Sequence, residues 1–126
     1  AIAASELPNA EVACTRAEEW DATVDLVTAR ALAPLAVIAE YAAPLLRIGG
    51  SLVAWKGGRD GGEEADAEAA ANILGLERVE VRRVEPFPGA EQRHLHLYSK
   101  VMEAPSRFPR RPGMARKRPL GRSSRA

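Results

Sequence analysis

The chain has 126 residues, a length for one domain that buries roughly two-thirds of its unfolded surface. Its net charge of +1 conceals a split: residues 1–103 carry 10 Lys/Arg against 17 Asp/Glu, a net of −7, whereas residues 104–126 carry 8 basic side chains and no acid. The single cysteine excludes an intrachain disulfide and suits a reducing, cytoplasmic setting, and no apolar run approaches the roughly 20 residues that would span a bilayer.

The opening "AIAASELPNA" has no basic n-region and only a short apolar stretch, so it does not read as a signal peptide. It reads as the end of a helix closing at Leu7-Pro8-Asn9, with its earlier turns missing. "AEVACT" (10–15) predicts a strand, in which Cys14 is a buried, inert thiol, and "TVDLVTA" (23–29) predicts a second. Val24, Leu26 and Val27 make that second strand apolar on both faces, as in a buried parallel sheet. A helix follows, with Pro34 suited to its first turn and Leu35, Ile38, Ala39, Ala42, Leu45 and Leu46 forming an apolar stripe. Pro44 predicts a kink or tightening, and Gly49-Gly50 predicts the end of the element. "SLVAWK" (51–56) is the third strand. A glycine-rich loop (57–62) leads to an alanine-rich helix at about 63–74, closed by Gly75. "RVEVRRVE" (78–85) and "HLHLYSKV" (94–101) then predict an antiparallel hairpin around Pro86 and Pro88-Gly89. Strand, strand–helix, strand–helix, hairpin is an α/β pattern.

Few residues announce chemistry. In the last strand Leu95, Leu97, Ser99 and Val101 share one face, and His94, His96, Tyr98 and Lys100 share the other. Two histidines with no Cys or third ligand nearby read as sheet-surface residues, and no metal site is expected. The "GGRDGG" loop has neither dinucleotide nor P-loop spacing and reads as a connector. Glu18 and Arg30 sit just after predicted strands, where α/β sites are built; taken alone they are ordinary loop charges. The basic end of the chain has two readings, an arm for an anionic partner or a solvated tail.

The segments "RAEEW", "VDLVTARALAPL", "GGSLVAWKG", "RHLHLYSKV" and above all "FPRRPGMARKRPL" resemble the C-terminal part of the 16S rRNA guanine-N7 methyltransferases, the small-subunit methyltransferase G or glucose-inhibited division protein B family. The resemblance covers nearly the whole chain and implies a class I, S-adenosylmethionine-dependent fold. That fold is a Rossmann-like, doubly wound sheet of order 3-2-1-4-5-7-6 with the cofactor at the carboxyl ends of its strands. Only the C-terminal strands and helices of that fold are represented. Residues 1–103 are then the C-terminal part of the methyltransferase domain, and 104–126 a basic Pro/Arg-rich RNA-binding tail.

The resemblance implies methyl transfer from S-adenosylmethionine to N7 of a guanine in 16S rRNA, on the rRNA or the small ribosomal subunit, in the cytoplasm, without membrane or metal. Position by position, Ala17 and Glu18 fall where the family binds the adenosyl group, and Arg30 where it contacts the cofactor. No catalytic acid or base is expected, because guanine N7 carries a lone pair and no proton; the work is positioning. Lys56 and Arg59 lie in a loop near the catalytic face and are candidates for RNA contact. In the tail, Pro105, Pro109, Pro112 and Pro119 favour extended backbone. Arg107, Arg110, Arg111, Arg116, Lys117 and Arg118 are expected along rRNA phosphates, with Phe108 stacking or anchoring the tail to the body.

The family's glycine-rich loop after its first strand and the acidic ribose binder after its second have no counterpart here. A sheet lacking strands 1 and 2 leaves strand 4 with an apolar open edge, so the chain alone is expected to be poorly stable or to oligomerise, and to bind cofactor weakly at best. Two other readings remain at this point: a non-enzymatic RNA-binding remnant, and an inactive fragment.

Overall fold

The computed structural model describes residues 15–20, 23–30, 33–89 and 92–121. Almost all of the expected strand at 10–15 lies outside the described residues. Four strands form one sheet: β1 (Val24–Arg30), β2 (Leu46–Lys56), β3 (Leu76–Val84) and β4 (Arg93–Lys100). Their spatial order is β1-β2-β4-β3. β1 and β2 are parallel, and β4 runs antiparallel between β2 and β3. This is the 4-5-7-6 part of the class I methyltransferase sheet, with its one reversed strand inserted beside the fifth.

Two helices cover one face. α1 (Leu35–Ala42) follows β1, and α2 (Gly61–Leu74) follows β2. All eight residues of α1 are buried, because the helix lies between the sheet, α2 and the C-terminal segment. α2 presents Ala67, Ala70, Ala71 and Leu74 inward, a 3.6-residue stripe of small side chains that lets the helices approach closely. Asp60 caps α2, its carboxylate accepting from Glu63 N–H at 3.0 Å. The helix therefore starts at Gly61, slightly ahead of the expected residue 63. Gly75 ends it with φ +81°, and an added Cβ would run into the Met102 carbonyl, so glycine is required on both counts.

The first helix ends sooner than its apolar stripe suggests. At Pro44 it tightens into a single 3-10 turn, Ala43–Leu45, and Leu46 already belongs to β2. Gly49 and Gly50 lie within that strand, where the pairing jumps from Val24↔Leu46 to Leu26↔Ser51. The cause is distant in sequence. Lys100 Nζ donates to the carbonyls of Ala43 at 2.8 Å and Leu46 at 2.7 Å, capturing oxygens that a continuing helix would have bonded itself.

The same lysine corrects the surface reading of the last strand. His94, His96, Tyr98 and Lys100 form the face of β4 that lies under the helices, with His96 2% and Lys100 2% exposed. Leu52, Ala54 and Tyr98 lie with it in the core. Leu95, Leu97 and Ser99 face the other way and are only half-buried. Two of its four polar side chains have partners there: Lys100 caps a turn, and the His94 ring nitrogen Nδ1 is 2.8 Å from the Gly57 carbonyl oxygen. His96 Nδ1 and the Tyr98 hydroxyl, by contrast, are buried with no hydrogen-bond partner among the described residues.

The basic segment is docked. Ala104, Phe108 and Leu120 join the main core, and a turn of helix, α3 (Met114–Lys117), places Ala115 against Val37 and Tyr41. The expected extended backbone is thus interrupted by a helical turn, and Phe108 anchors the segment to the body.

Candidate functional site

In a sheet of this topology, ligands gather where the parallel strands end. Arg30 ends β1 and Lys56 ends β2. Trp55 pairs with Arg30 in register, so both side chains lie on the sheet face away from the helices, while Lys56 lies on the helix side. There Lys56 Nζ is 2.8 Å from the Glu63 carboxylate and donates to the Ala33 carbonyl at 3.0 Å. Glu63 also accepts from Leu35 N–H at 2.9 Å. One carboxylate at the start of α2 thereby caps the start of α1 and fixes the lysine at the end of β2.

On the open side, Arg30, Trp55, Lys56, Gly57, Phe87 and Arg93 line a cleft of about 440 Å³. Phe87 is 56% exposed, although aromatic side chains of its size are usually well covered. Two guanidinium groups and two aromatic rings around one opening, with the Lys56 ammonium already held by Glu63 on the helix side, suit a flat, electron-rich ring attached to phosphate. Arg59, the other loop cation considered for RNA, donates to both carboxylate oxygens of Glu64, at 3.0 and 2.7 Å. That Arg59 pairing is the chief reason the Glu64 carboxyl is held below its ordinary range.

Ala17 and Glu18 lie in a 3-10 turn, Ala17–Glu19. Ala17 packs beside Val37, Tyr41 and Ala115. The Glu18 side chain is only 4% exposed. Its Oε2 accepts from Arg16 at 3.2 Å and from the backbone N–H of Gly113 at 3.0 Å. Burial pushes this carboxyl up. The hydrogen bonds from Gly113, from its own backbone N–H and from Arg16 outweigh burial and hold it below the ordinary range. An ionised carboxylate has about four acceptor positions, so these bonds leave capacity for a ligand amino group.

The residues expected to meet a cofactor thus fall at two places, Ala17 and Glu18 beside α1 and α3, and Arg30 in the cleft. Of the six expected RNA-facing cations, Arg107, Arg111, Arg116, Lys117 and Arg118 are exposed. Arg110 is turned inward, with Nε 2.9 Å from Glu40 Oε2. The sequence reading missed Trp55, Phe87 and Arg93 as cleft walls, and Glu63 as the link between elements. Strand-end placement pointed to Trp55 and Lys56; nothing local pointed to Phe87. Among the described residues, no group of three His, Cys, Asp or Glu is placed to hold a metal, and no helix is long and apolar enough to cross a membrane.

Comparison with known proteins adds ancestry to this geometry. A family model described as rRNA small subunit methyltransferase G matches residues 1–96. The ribosomal RNA small subunit methyltransferase G of Chloroflexus aggregans is 49% identical over 98 residues, covering 76% of this chain and 40% of that protein. The protein of the same name from Rubrobacter xylanophilus is 40% identical over 119 residues, covering 91% of this chain and 46% of its own length. The chain therefore spans less than half the length of these curated relatives. A solved structure described as that of a methyltransferase from Thermoplasma acidophilum superposes with a TM-score of 0.50 at 16% identity, covering 68% of this chain and 42% of that one. That likeness supports the class I fold and nothing finer.

Proposed function

The chain belongs to the rRNA small subunit methyltransferase G family, and on that premise we propose that it serves methyl transfer from S-adenosylmethionine to N7 of a guanine in 16S rRNA. The observation that carries the reading is the 49% identity to a curated family member across three-quarters of the chain. The cleft at the carboxyl ends of β1 and β2 agrees with it. The substrate places the protein in the cytoplasm, working on 16S rRNA or the small ribosomal subunit.

When bound, S-adenosylmethionine supplies an electrophilic methyl group. The residues present fit it chemically. Glu18, ionised and with acceptor capacity left, suits the adenine amino hydrogens, while the backbone of Ala17 suits a ring nitrogen. Arg30, exposed at the strand end, suits the methionine carboxylate bidentately. Trp55 and Phe87 flank the incoming base, and Arg93 approaches its phosphate. Arg107, Arg111, Arg116, Lys117 and Arg118 extend the basic surface along the RNA. N7 presents its lone pair directly, so these residues need only orient base and donor and exclude water.

The test is calorimetric titration of S-adenosylmethionine into the protein, followed by mass spectrometry of 16S rRNA for 7-methylguanosine. Binding that weakens about tenfold or more in Glu18→Ala and in Arg30→Ala supports the site, as expected for loss of a hydrogen bond to a charged group. Binding unchanged in both variants overturns these assignments, and rRNA without the methyl mark overturns the reaction.

A further inference from the structure

Glu40 is the one charged residue of α1, in the run "LAVIAEYA", and it is 1% exposed. A carboxylate at such a depth persists only with a partner. The partner arrives 70 residues later. Arg110 places Nε 2.9 Å from Oε2 and 3.1 Å from Oε1 of Glu40. Its terminal NH2 also reaches Oε1 and donates to the Arg118 carbonyl at 2.8 Å. A planar guanidinium bound through two nitrogens fixes a direction as well as a position. The pair therefore orients the whole segment 105–121, which Phe108 and Leu120 fasten to the core on either side.

Three residues beyond Arg110, Gly113 adopts φ +87°, a conformation that side-chain-bearing residues rarely adopt. In that conformation its backbone N–H donates to Glu18 Oε2 at 3.0 Å. A backbone donor has no rotamer to lose, so once the segment is oriented the carboxylate is oriented with it. The segment's apolar grip on the body lies elsewhere, in Phe108, Ala115 and Leu120.

We propose that Arg110 and Gly113 are positioning residues: Arg110, clamped by Glu40, sets the segment so that the Gly113 N–H holds the Glu18 carboxylate in the orientation that receives the adenine amino group. This rests on the assignment of Glu18 to the cofactor made above. The segment is then a strap across the cofactor half-site. Its outward cations Arg111 and Lys117 sit within four residues of Gly113, so RNA bound along the strap lies next to the donor that orients Glu18.

The experiment compares wild type with the double variant Glu40→Leu/Arg110→Met, which removes both charges rather than burying one alone. Two readouts are taken: the pH titration of the Glu18 carboxyl by carbon-13 NMR, and S-adenosylmethionine affinity by calorimetry. Expected are a Glu18 pKa that rises toward the ordinary carboxylate range and affinity about tenfold weaker, with the cooperative melt retained. An unchanged Glu18 titration in the folded double variant overturns the proposal. If the double variant does not fold, Gly113→Val, strained at this φ, is read by the same two measurements, with Gly113→Asn as the variant expected to stay close to wild type. Unchanged affinity in Glu18→Gln would remove the cofactor role of Glu18, while the carboxyl titration would still decide whether the strap holds it.

Discussion

Replacing Lys100 by methionine removes the group that ends α1 and starts β2. The ammonium is buried, with the Ala43 and Leu46 carbonyls at 2.8 and 2.7 Å and the Glu103 carboxylate at 3.7 Å. A hydrogen bond from a charged donor contributes about 1.5–3 kcal/mol, so two contribute about 3–6 kcal/mol. Against that, methionine spares the cost of dehydrating an ammonium, which is several kcal/mol for a fully buried ion and less where carbonyls already surround it. The expected net loss is about 2–4 kcal/mol. Urea unfolding followed by tryptophan fluorescence reads it directly. With a slope of about 1–3 kcal/mol per molar, the midpoint falls by roughly 1 M or more at unchanged slope. Lys100→Ala should lose at least as much, because it adds a cavity. A loss below about 1 kcal/mol in the methionine variant would refute the argument: the two carbonyls would then be satisfied without the ammonium, and the short helix would need another cause.

Burial lowers the pKa of His96, and the Glu64 carboxylate opposes that only in part. Below the ordinary value of 6.5 the unfolded chain therefore binds a proton that the folded chain refuses. The stability tied to this ring is complete above pH 6.5 and is lost as pH falls toward the lowered folded value, by at most about 1.4 kcal/mol per pH unit. Unfolding midpoints between pH 7.5 and 5.5 should show that slope, and His96→Phe should flatten it; an equal slope in the variant refutes the assignment. For the strap, if about four of the outward cations touch phosphate, RNA affinity should fall with salt at a log–log slope of roughly −3. Arg111→Gln/Arg116→Gln/Lys117→Gln should bring that slope to about −1, and salt-independent binding of the wild type would exclude phosphate contact.

Much of the fold was legible because its signals are local. β1 announced itself by an apolar run, α2 by an alanine stripe closed at Gly75, and the β3–β4 hairpin by alternation around Pro86 and Pro88. What misled was non-local. The stripe through Leu45 and Leu46 is continuous on a helical wheel, but Pro44 tightens the chain into a 3-10 turn that takes in Leu45, and Lys100, paired across space, bonds the Ala43 and Leu46 carbonyls where Leu46 begins the strand. The alternation in β4 correctly separated its two faces, but composition assigned the polar one to solvent. Lys100 caps a turn and His94 meets the Gly57 carbonyl, so two of its polar residues are paired in the core, while the His96 ring and the Tyr98 hydroxyl are buried there without a hydrogen-bond partner among the described residues. The placement of Arg30 at a parallel strand end was legible, because topology alone determines it; its role there is part of the proposal. The cleft walls were not, because Phe87 comes to the same cleft as Trp55 only through the pairing of β4 with both β2 and β3.

The C-terminal segment shows how far charge counting reaches. Its composition marks six of its cations as equivalent candidates for an anion, yet Arg110 faces a buried carboxylate of its own chain and the other five face outward. The signal that separates Arg110 was present all along, though not in the segment itself. It was Glu40, a lone acid in a helix otherwise apolar on every side, which cannot be buried without a cation. No other acid of α1 competes for that cation. A buried acid in an apolar helix is therefore a prediction that some distant basic residue is not available to a partner. On the proposed reading, the charge left for RNA would be carried by a segment whose course is already fixed against the body, so its residues would meet phosphate as a shaped surface rather than as a loose polycation.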